Sequence, residues 1–354
     1  MPILDRTNKD EVEKYNRFVR NREHTSALQD LNWGKVKEGE WDEEAVYLEQ
    51  NGNITAAMMI LIRKFAKGIS IMYAPRGPVC DIEDVATVKK LVEEAKPLAK
   101  KYNAFVLKMD PEAVYSEKLE GMYKKSGFKV RNKDKHKHEF IQPIYNMIIR
   151  MGTKTEEEIF KGYSEKTRYN IRVAEKKGVT VRWSRDPKDI EVFHELSEIT
   201  ATRDKISLRS KEYYMRMLEA YDEEHLRIYV AEHEGEPLSA AIALNYGGKL
   251  FYIYGASSNE KRNLMPNYLM QQTMIRWALE TGCTEYDFGG VFEMDKSNGL
   301  FRFKEGFCHQ EGVTKFVGEI DHVYKKSIYF AFVNLLPIYK KFRGLLKRIT
   351  KKEK

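Results

Sequence analysis

A glycine pair at the end of a short strand, followed by a lysine on the next element, is the feature of this sequence best suited to chemistry. Residues 284–307 read TEYDFGGVFEMDKSNGLFRFKEGF; their pattern predicts a strand ending at Gly289-Gly290, a polar loop, and a helical turn with Phe303 and Lys304. Glycine has no Cβ, so a ligand can approach such a backbone closely. We therefore expect the Lys304 ammonium to face a ligand that enters this gap.

Other common catalytic and metal-binding patterns do not stand out in the sequence. No Ser-His-Asp or Cys-His arrangement is evident, which disfavours a covalent enzyme intermediate. Cys80, Cys283 and Cys308 have no CxxC spacing and predict neither a zinc site nor a disulfide framework. His136 and His138 lie in a charged loop, so we expect no metal there.

The charge of the chain is concentrated at its C-terminal end. The 354 residues are 42% hydrophobic, as in a folded globular protein, and carry a formal net charge of +8. Residues 325–354 hold ten Lys or Arg against one acid, Glu353, a charge of +9 that leaves −1 for the rest. We expect a basic amphipathic helix that contacts an anionic membrane surface or nucleic-acid phosphates, or returns on the body of the protein.

The sequence predicts a cytoplasmic protein. No window approaches the roughly 18 consecutive apolar residues of a spanning helix, and the start, MPILDRTNKDEVEKYNRF, lacks the basic and apolar regions of a signal peptide. Contact of residues 325–354 with lipid would place the protein at the inner face of the cell membrane. We expect a monomer.

The two halves of the chain predict the same elements in the same order. Residues 46–79 predict three strands with a tight turn at Asn51-Gly52, and residues 228–257 predict three strands with a turn at Glu234-Gly235. In each half a helix, a strand and a helix ending in Gly-Phe follow, and MYKKSGF matches FRFKEGF at an offset of 179 residues. This agreement indicates an internal duplication.

This order of elements is typical of the GNAT acyltransferase fold, in which two central strands splay apart and the acyl donor enters the wedge. We predict an α+β (mixed α/β) protein with two tandem GNAT-like domains, residues 1–145 and 146–324, and no long coiled-coil arm. Residues 325–354 form the C-terminal extension.

A coenzyme A donor is disfavoured by the segment before the second-half helix. GNAT enzymes hold the coenzyme's pyrophosphate on backbone N–H groups of a glycine-containing turn at a helix start. The equivalent residues 261–267, KRNLMPN, contain no glycine, and residues 77–82, GPVCDI, also lack the motif. A coenzyme-A-dependent N-acyltransferase is therefore the weaker enzymatic alternative.

Several short motifs together resemble a known family. They are spread over about nine-tenths of the chain: MPILDRTNKD, QDLNWGKVK, the turn from Tyr73 to Pro78, LKMDPE, SEKTR, ISLRSKEYY, AEHEGEPLSAAIALNYG, YDFGGV, FKEGF and GEIDHV. In combination they resemble the FemABX family of non-ribosomal peptidyl transferases. The resemblance implies two GNAT-like domains, an aminoacyl-tRNA donor and no metal or organic cofactor.

The resemblance also implies a reaction. An amino acid, which is alanine, serine or glycine, is moved to the side-chain amine of the third residue of a muramyl-pentapeptide, and it forms the peptidoglycan cross-bridge. The acceptor is either UDP-MurNAc-pentapeptide or the lipid-linked precursor, lipid II. The sequence leaves both the amino acid and the acceptor open.

Residues of the acceptor site are implied by the matching motifs. Lys37 and Arg209 match a pair of cations that holds the acceptor's diphosphate, where charge-assisted hydrogen bonds are favourable. Asp110 matches a carboxylate near the reacting amine. Aromatic residues near the acceptor are matched by Tyr213, Tyr252 and Tyr254. Taken alone, these residues would be read as surface cations, a strand-end cap and strand packing.

Phe303 and Lys304 match residues that meet the acceptor end of the tRNA. The amine attacks the aminoacyl ester and an oxyanion forms, so a fixed ammonium stabilises charge that develops in the transition state. Phe303 can stack on the terminal adenine, and core packing is its alternative. A non-catalytic module that binds tRNA or a membrane is the alternative outside enzymes.

Overall fold

The computed structural model describes residues 3–22, 25–65, 68–133, 140–292 and 294–335. These residues form two mixed β-sheets with helices packed on them, as the predicted α+β class requires. The strands are β1 (Asp42–Gln50), β2 (Asn53–Lys64), β3 (Ser70–Ala74), β4 (Ala104–Met109), β5 (Lys129–Arg131), β6 (Tyr145–Arg150), β7 (Thr180–Ser184), β8 (Leu226–His233), β9 (Glu236–Tyr246), β10 (Lys249–Ser257), β11 (Glu285–Gly290), β12 (Val313–Lys315) and β13 (Glu319–Val323).

The α-helices of the described residues are short or of moderate length. They are α1 (Lys9–Arg20), α2 (Leu31–Val36), α3 (Val85–Glu94), α4 (Lys96–Lys101), α5 (Glu117–Lys125), α6 (Glu156–Gly162), α7 (Glu165–Lys176), α8 (Pro187–Asp204), α9 (Lys211–Ala220), α10 (Pro266–Glu280), α11 (Gly299–Phe307) and α12 (Lys326–Phe330). Even α8 has only 18 residues, so this part of the chain contains no coiled-coil arm. Within the same ranges no helix is long and apolar enough to cross a membrane.

The predicted duplication is present in the topology. Each half has an antiparallel meander (β1–β3 and β8–β10), a crossover by α3 and α4 or by α10, and a strand parallel to the last meander strand (β4 and β11). Both first hairpins turn through two residues of positive φ, Asn51-Gly52 and Glu234-Gly235, a geometry that suits the twist of paired strands.

Each of the two sheets includes a strand that comes after the opposite half in the chain. The first sheet has the order β1-β2-β3-β4-β13-β5, and the second has β12-β6-β11-β10-β9-β8-β7. β6 follows the first half and pairs in the second sheet; β13 follows the second half and pairs with β4 and β5 in the first. Residues 319–323, assigned to the second domain from sequence, therefore complete the first sheet, while the division at residue 145 stays a prediction.

One hydrophobic core is shared by the two halves. It contains side chains of α1 and α2, of β1 and β2 in the first sheet, and of α8, α9 and β8–β10 in the second half. Tyr15, Trp33, Phe193 and Tyr213 are among its buried aromatic residues. The halves are therefore joined by continuous packing, which places α2 beside α9.

The first part of the C-terminal extension returns on the body. α12 and the following turn place Ile328, Tyr329 and Phe332 on a cluster of β3 and β4 that includes Phe105. The Tyr329 hydroxyl donates to Asp321 Oδ2 at 2.7 Å, and the Phe332 and Phe105 ring centroids are 5.2 Å apart. The rest of the predicted basic helix, residues 336–354, lies outside the described residues.

We predict that Phe332→Ala lowers the free energy of unfolding by about 2 kcal/mol, because it removes a half-buried ring from Phe105. Urea denaturation followed by circular dichroism measures this change. Phe330→Ala, at the end of α12 and 60% exposed, should change stability by less than about 0.5 kcal/mol. Equal effects of the two substitutions would show that the extension does not dock as described.

Candidate active site

The central strands of the second sheet separate, as the fold class predicted. β10 and β11 pair only where Lys249 to Phe251 face Glu285 to Asp287, and their following residues are unpaired with each other. In the first sheet β3 stays paired with β4 along its whole length. A wedge therefore opens in the second half only, between the C-terminal parts of β10 and β11.

The glycine pair forms one wall of this wedge. Gly289 has φ +75°, a backbone conformation that residues other than glycine rarely adopt. Its N–H donates to Asp287 Oδ1 at 2.7 Å. A Cβ on Gly290 would lie 2.1 Å from the Pro143 ring. The pair is thus required by a left-handed turn at one residue and by close packing at the other.

Lys304 lies behind the glycine pair and is 95% buried. Its Nζ donates to the Gly290 carbonyl oxygen at 2.9 Å, and the described residues offer its other N–H groups no hydrogen-bond acceptor. Burial lowers the pKa of Lys304 to about 8, although the nearby Asp287 carboxylate opposes this shift. A buried ammonium with unused donors can stabilise an oxyanion that forms beside it.

Close packing of α11 on α7 fixes where Lys304 points. The Ser164 N–H donates to the Gly306 carbonyl at 2.8 Å, and a Cβ on Gly306 would lie only 2.3 Å from Thr167 Oγ1. Glycine at residue 306 therefore lets the two helices approach. Asn298 caps the start of α11 by accepting the Phe301 N–H at 3.0 Å.

Phe303 is half-buried in a cluster of aromatic rings. Its centroid lies 5.0 Å from that of Tyr268 and 5.4 Å from that of Phe307, both edge-on. These contacts support the packing interpretation of Phe303. Its exposed part can still meet a ligand, so its role at a tRNA end stays a prediction.

Asp110 lies at the end of β4 and is almost fully buried. Its Oδ2 accepts the Tyr73 hydroxyl at 2.7 Å, and its Oδ1 accepts the Arg76 N–H at 2.6 Å. Burial raises the pKa of Asp110 to about 7, against the opposing effect of Arg76. The carboxylate therefore holds the turn from Tyr73 to Pro78 and can exchange a proton near neutral pH.

A buried chain of charges, which we call the charge bridge, joins the two halves through Arg76, Glu112 and Lys249. A Glu112 carboxylate oxygen lies 3.4 Å from Arg76 Nε, and Glu112 also pairs with Lys249, which begins β10. Burial alone would raise the pKa of Glu112, but Lys249 and Arg76 outweigh it and hold this pKa below its usual value. The bridge ties the turn after β3 to the base of the wedge.

Asp287 continues the charge bridge toward Lys304. It has no exposed surface, and Asn146 Nδ2 lies 3.3 Å from its Oδ2. Burial raises the pKa of Asp287, and Lys249 counteracts the shift. Sequence reasoning missed Arg76, Glu112, Lys249 and Asp287 as site residues. The only local sign of this site was the position of Asp287, an acid within an otherwise apolar strand.

A second contact path joins Asp110 to Lys304. Arg76 Nη2 donates to the Pro143 carbonyl at 3.1 Å, and the Pro143 ring packs on Gly290, whose carbonyl accepts from Lys304. The two residues predicted to be catalytic therefore belong to one connected site, although each comes from a different half.

The predicted acceptor residues form a separate cation–tyrosine cluster where α2 meets α9. Lys37 Nζ donates to the Tyr213 hydroxyl at 2.8 Å, and the Tyr213 and Tyr254 hydroxyl oxygens are 3.1 Å apart. The Arg209 guanidinium lies 5.1 Å from the centre of the Tyr213 ring and 3.6 Å from a Glu40 oxygen. The fold thus brings together four of the five residues predicted to bind the acceptor.

Electrostatics make this cluster receptive to an anion. Burial, together with the Arg209 and Arg216 cations, lowers the pKa of Lys37 to about 7, and Glu40 opposes this shift. An anion placed between Lys37 and Arg209 would relieve this repulsion.

Tyr252 does not join the cation–tyrosine cluster. The pairing of β10 with β9 shifts register between Tyr252 and Tyr254, so the two side chains lie against different cores. The Tyr252 hydroxyl lies over Gly255, where a Cβ would be 1.6 Å away. The Tyr252 ring faces the core of the wedge, and burial raises its pKa to about 12.

β10 connects the charge bridge to the cation–tyrosine cluster. Lys249 at its start belongs to the former and Tyr254 to the latter, a separation of about 17 Å for five residues of extended chain. Tyr252 lies between them on the same strand. β10 therefore links the charge bridge to the cation–tyrosine cluster within one strand.

The described residues contain neither a metal-binding cluster nor the glycine turn of a coenzyme A site. Among the described residues, no group of three or more His, Cys, Asp or Glu could hold a metal ion; His136 and His138 lie outside them. At the start of α10, Met265 and Pro266 replace the glycine turn of coenzyme A sites, and Pro266 has no N–H to donate. A pyrophosphate cradle at this helix start is thus incomplete.

Comparisons of the sequence with known proteins agree with this architecture. The model of the FemAB family matches residues 11–234 and 231–336. The UDP-N-acetylmuramoylpentapeptide-lysine N(6)-alanyltransferase of Weissella viridescens is 35% identical over 341 residues, 94% of this chain and 99% of that protein. The lipid II:glycine glycyltransferase of Staphylococcus aureus (strain bovine RF122 / ET3-1) is 26% identical over 417 residues, 96% of this chain and 98% of that protein.

Solved structures show the same fold. The crystal structure of FemX matches with a TM-score of 0.84 at 24% identity, over 94% of this chain and 100% of that chain. A tandem GNAT protein from the clavulanic acid biosynthesis pathway matches with a TM-score of 0.50 at 10% identity, over 89% and 96% of the two chains. The fold is therefore that of two tandem GNAT-like domains.

We predict that Lys249→Met lowers the free energy of unfolding by about 3 kcal/mol, because it leaves a buried carboxylate with one partner fewer. Glu112→Gln should cost more, since two buried cations then lose their counter-charge. Urea denaturation at pH 7 measures both, and the double variant should lose less than their sum.

Arg150→Met is the matched control, because Arg150 pairs across strands with Glu285 at an exposed position. Its expected loss is below about 1 kcal/mol. A similar loss for Lys249→Met would mean that the charge bridge does not hold the halves together.

Proposed function

The chain belongs to the FemAB family, as its motifs predicted, and from this premise we propose that it is a non-ribosomal aminoacyltransferase of peptidoglycan synthesis. It moves alanine, serine or glycine from an aminoacyl-tRNA to the side-chain amine of the third residue of a muramyl-pentapeptide. The acceptor is UDP-linked or is lipid II. The relationship to the Weissella enzyme and the buried Lys304 ammonium at the wedge are the observations that support this proposal most strongly.

The reaction needs electrostatic stabilisation rather than a covalent intermediate. The neutral amine attacks the ester carbonyl, an oxyanion forms, and the C–O bond to the ribose then breaks. The attacking nitrogen loses a proton, and the ribose oxygen gains one. Lys304 is the group we assign to the developing negative charge, because its ammonium is buried and only the Gly290 carbonyl accepts from it among the described residues.

Asp110 is the candidate for the proton of the attacking amine. A pKa of about 7 suits a group that takes up a proton near neutrality. Both of its oxygens already accept hydrogen bonds from the turn, so a substrate amine would share or displace one of them. The contact path through Pro143 to Gly290 is what connects Asp110 to Lys304.

The acceptor's diphosphate is assigned to the cation–tyrosine cluster. Lys37 and Arg209 both border the Tyr213 ring, so their charges converge on one place. Both acceptors contain a diphosphate, and the cluster therefore does not distinguish them. Tyr213 and Tyr254 supply hydroxyl groups beside these cations, and Tyr252 borders the path from the cluster to the wedge.

For the donor, Phe303 is assigned to stacking with the terminal adenine of the tRNA, beside Lys304.

For the C-terminal extension, the net charge of residues 336–354, with eight Lys or Arg and one acid, supports contact with anionic lipid. Ending the chain at residue 335 should then abolish sedimentation with anionic vesicles and leave the fold intact. We propose a monomer in the cytoplasm that meets the inner face of the cell membrane through this segment.

We predict that incubation with a mixture of charged tRNAs and both acceptors yields a muramyl-peptide heavier by one amino acid, detected by mass spectrometry. Lys304→Met should lower the turnover rate by about 10²- to 10³-fold, as the loss of one oxyanion donor does elsewhere. The wild-type rate should fall as the pH rises above about 8, because the ammonium is then deprotonated.

Lys125→Met is the control, since Lys125 is the exposed counterpart of Lys304 in the first half. It should retain the wild-type rate. Wild-type turnover in Lys304→Met would instead make Lys304 peripheral to the reaction. Binding of acetyl-coenzyme A in calorimetry, without aminoacyl transfer, would favour the N-acyltransferase alternative.

We predict that UDP, used as a diphosphate probe, binds more weakly as the pH rises through about 7. Lys37 is protonated below this pH and neutral above it, and the charged groups around it are Arg209, Arg216 and Glu40. Lys37→Met should weaken binding about tenfold or more at pH 6 and flatten the pH dependence. Isothermal titration calorimetry measures both.

The exposed Lys35 on the same helix gives the matched control, Lys35→Met. Its UDP affinity should equal that of the wild type at every pH. A Lys37→Met protein that keeps the wild-type affinity would remove Lys37 from the acceptor site.

A further inference from the structure

The outer face of α7 is basic and contains an exposed aromatic residue. The residues on its inner side, Thr167, Asn170, Ile171 and Ala174, are buried. Helical spacing places Lys166, Tyr169, Arg172 and Lys176 away from them, and all four are exposed. Tyr169 is 64% exposed, which is unusual for a large ring with no packing partner on its own helix.

The lysines of this face have no ion-pair partner in the part of the chain that the structure describes. Lys166, Lys176 and Lys177 form no ion pair with any described residue, whereas Lys161 on the preceding helix pairs with Glu157. The Arg172 guanidinium lies 5.5 Å from the centre of the Phe160 ring, which orients it without neutralising it. The helix also has two exposed acids, Glu165 and Glu175. Because its cations outnumber them, its surface carries a net positive charge.

The position of α7 relates this face to the wedge. α7 begins where Ser164 donates to the Gly306 carbonyl, two residues after Lys304 in α11. Its twelve residues then extend for about 18 Å from that contact. A polyanion whose end reaches Phe303 and Lys304 can therefore continue along α7.

We propose that the outer face of α7 binds the backbone phosphates of the tRNA acceptor stem whose 3′ end enters the wedge. The inference rests on the proposed function, because the donor it needs is an aminoacyl-tRNA. Lys166, Arg172 and Lys176 contact phosphates, and Tyr169 packs on the ribose–phosphate backbone. Such contacts position an RNA helix through its shape and charge and do not read its sequence.

RNA fits this face better than a membrane does. A helix that lies in a membrane interface presents a broad apolar side to the lipid, and the apolar side of α7 is buried in the protein. The exposed side offers a single ring among cations spread over about 15 Å, from Lys166 to Lys176. That arrangement matches a row of phosphates.

The test is a triple charge reversal, Lys166→Glu, Arg172→Glu and Lys176→Glu, in the full chain. We expect the KM for aminoacyl-tRNA to rise at least tenfold, with an unchanged KM for the muramyl-peptide. The salt dependence of binding to an uncharged acceptor-stem minihelix should also become less steep, because fewer counterions are released. Fluorescence anisotropy measures this binding without requiring any transfer, and Tyr169→Ala should weaken it to a smaller extent.

A control variant makes the same change of charge elsewhere. Lys89→Glu, Lys90→Glu and Lys100→Glu alter exposed residues on the helices of the first half. This variant should keep the wild-type KM values and minihelix affinity. Matching thermal unfolding of both triple variants and the wild type establishes that folding is not the cause.

The outcomes separate this inference from the proposed function. If the wild type transfers an amino acid and the α7 variant keeps its KM for tRNA and its minihelix affinity, the inference is wrong and the function stands. If the wild type transfers nothing but binds the minihelix through α7, the function is wrong and the RNA surface stands. Loss of binding to anionic vesicles alone, with RNA binding retained, would make α7 a membrane contact and overturn the inference.

Discussion

The charge bridge from Arg76 through Glu112 to Lys249 is the interaction on which the site depends. Arg76 and Lys249 are buried and Glu112 is mostly buried, and a buried charge that loses its partner is costly. Glu112 comes from the loop after β4 and Lys249 begins β10, so satisfying their charges sets one half against the other. Asp287 extends the bridge and shapes the turn at Gly289 in front of Lys304. The position of the ammonium is therefore coupled to the junction of the two halves.

The duplication explains why two similar halves have different tasks. Asp110 in the first half occupies the place of Gly289 in the second. In the first half β3 and β4 stay paired and the carboxylate seals their end through Tyr73 and Arg76. In the second half the glycine permits a left-handed turn, β10 and β11 separate, and the wedge opens. One fold unit thus has a closed strand end, and its copy contains the open wedge that we propose as the reaction site.

The shared core positions the residues of the cation–tyrosine cluster. Lys37 and Tyr213 are 176 residues apart in sequence, and their hydrogen bond forms because α2 and α9 are buried against one another. Pairing of β13 with β4 in the first sheet adds backbone hydrogen bonds between the halves. Relative motion of the halves would therefore break packing, strand pairing and buried charge pairs at once, so these contacts hold the halves in one relative position.

The sequence by itself determined the element order, the duplication, the GNAT-like class and the glycine pair with its lysine, because these follow from local periodicity and turn residues. Resemblance pointed to Lys37, Arg209 and Tyr213 without explaining why they should meet. Tertiary structure alone decided the pairing of β13 with the first sheet and the bulge that separates Tyr252 from Tyr254. It also decided the charge bridge, because a strand-end Lys249 and a loop Glu112 look like surface residues until folding removes them from water. Burial and long-range pairing are properties of the folded chain, and no local sequence pattern predicts them.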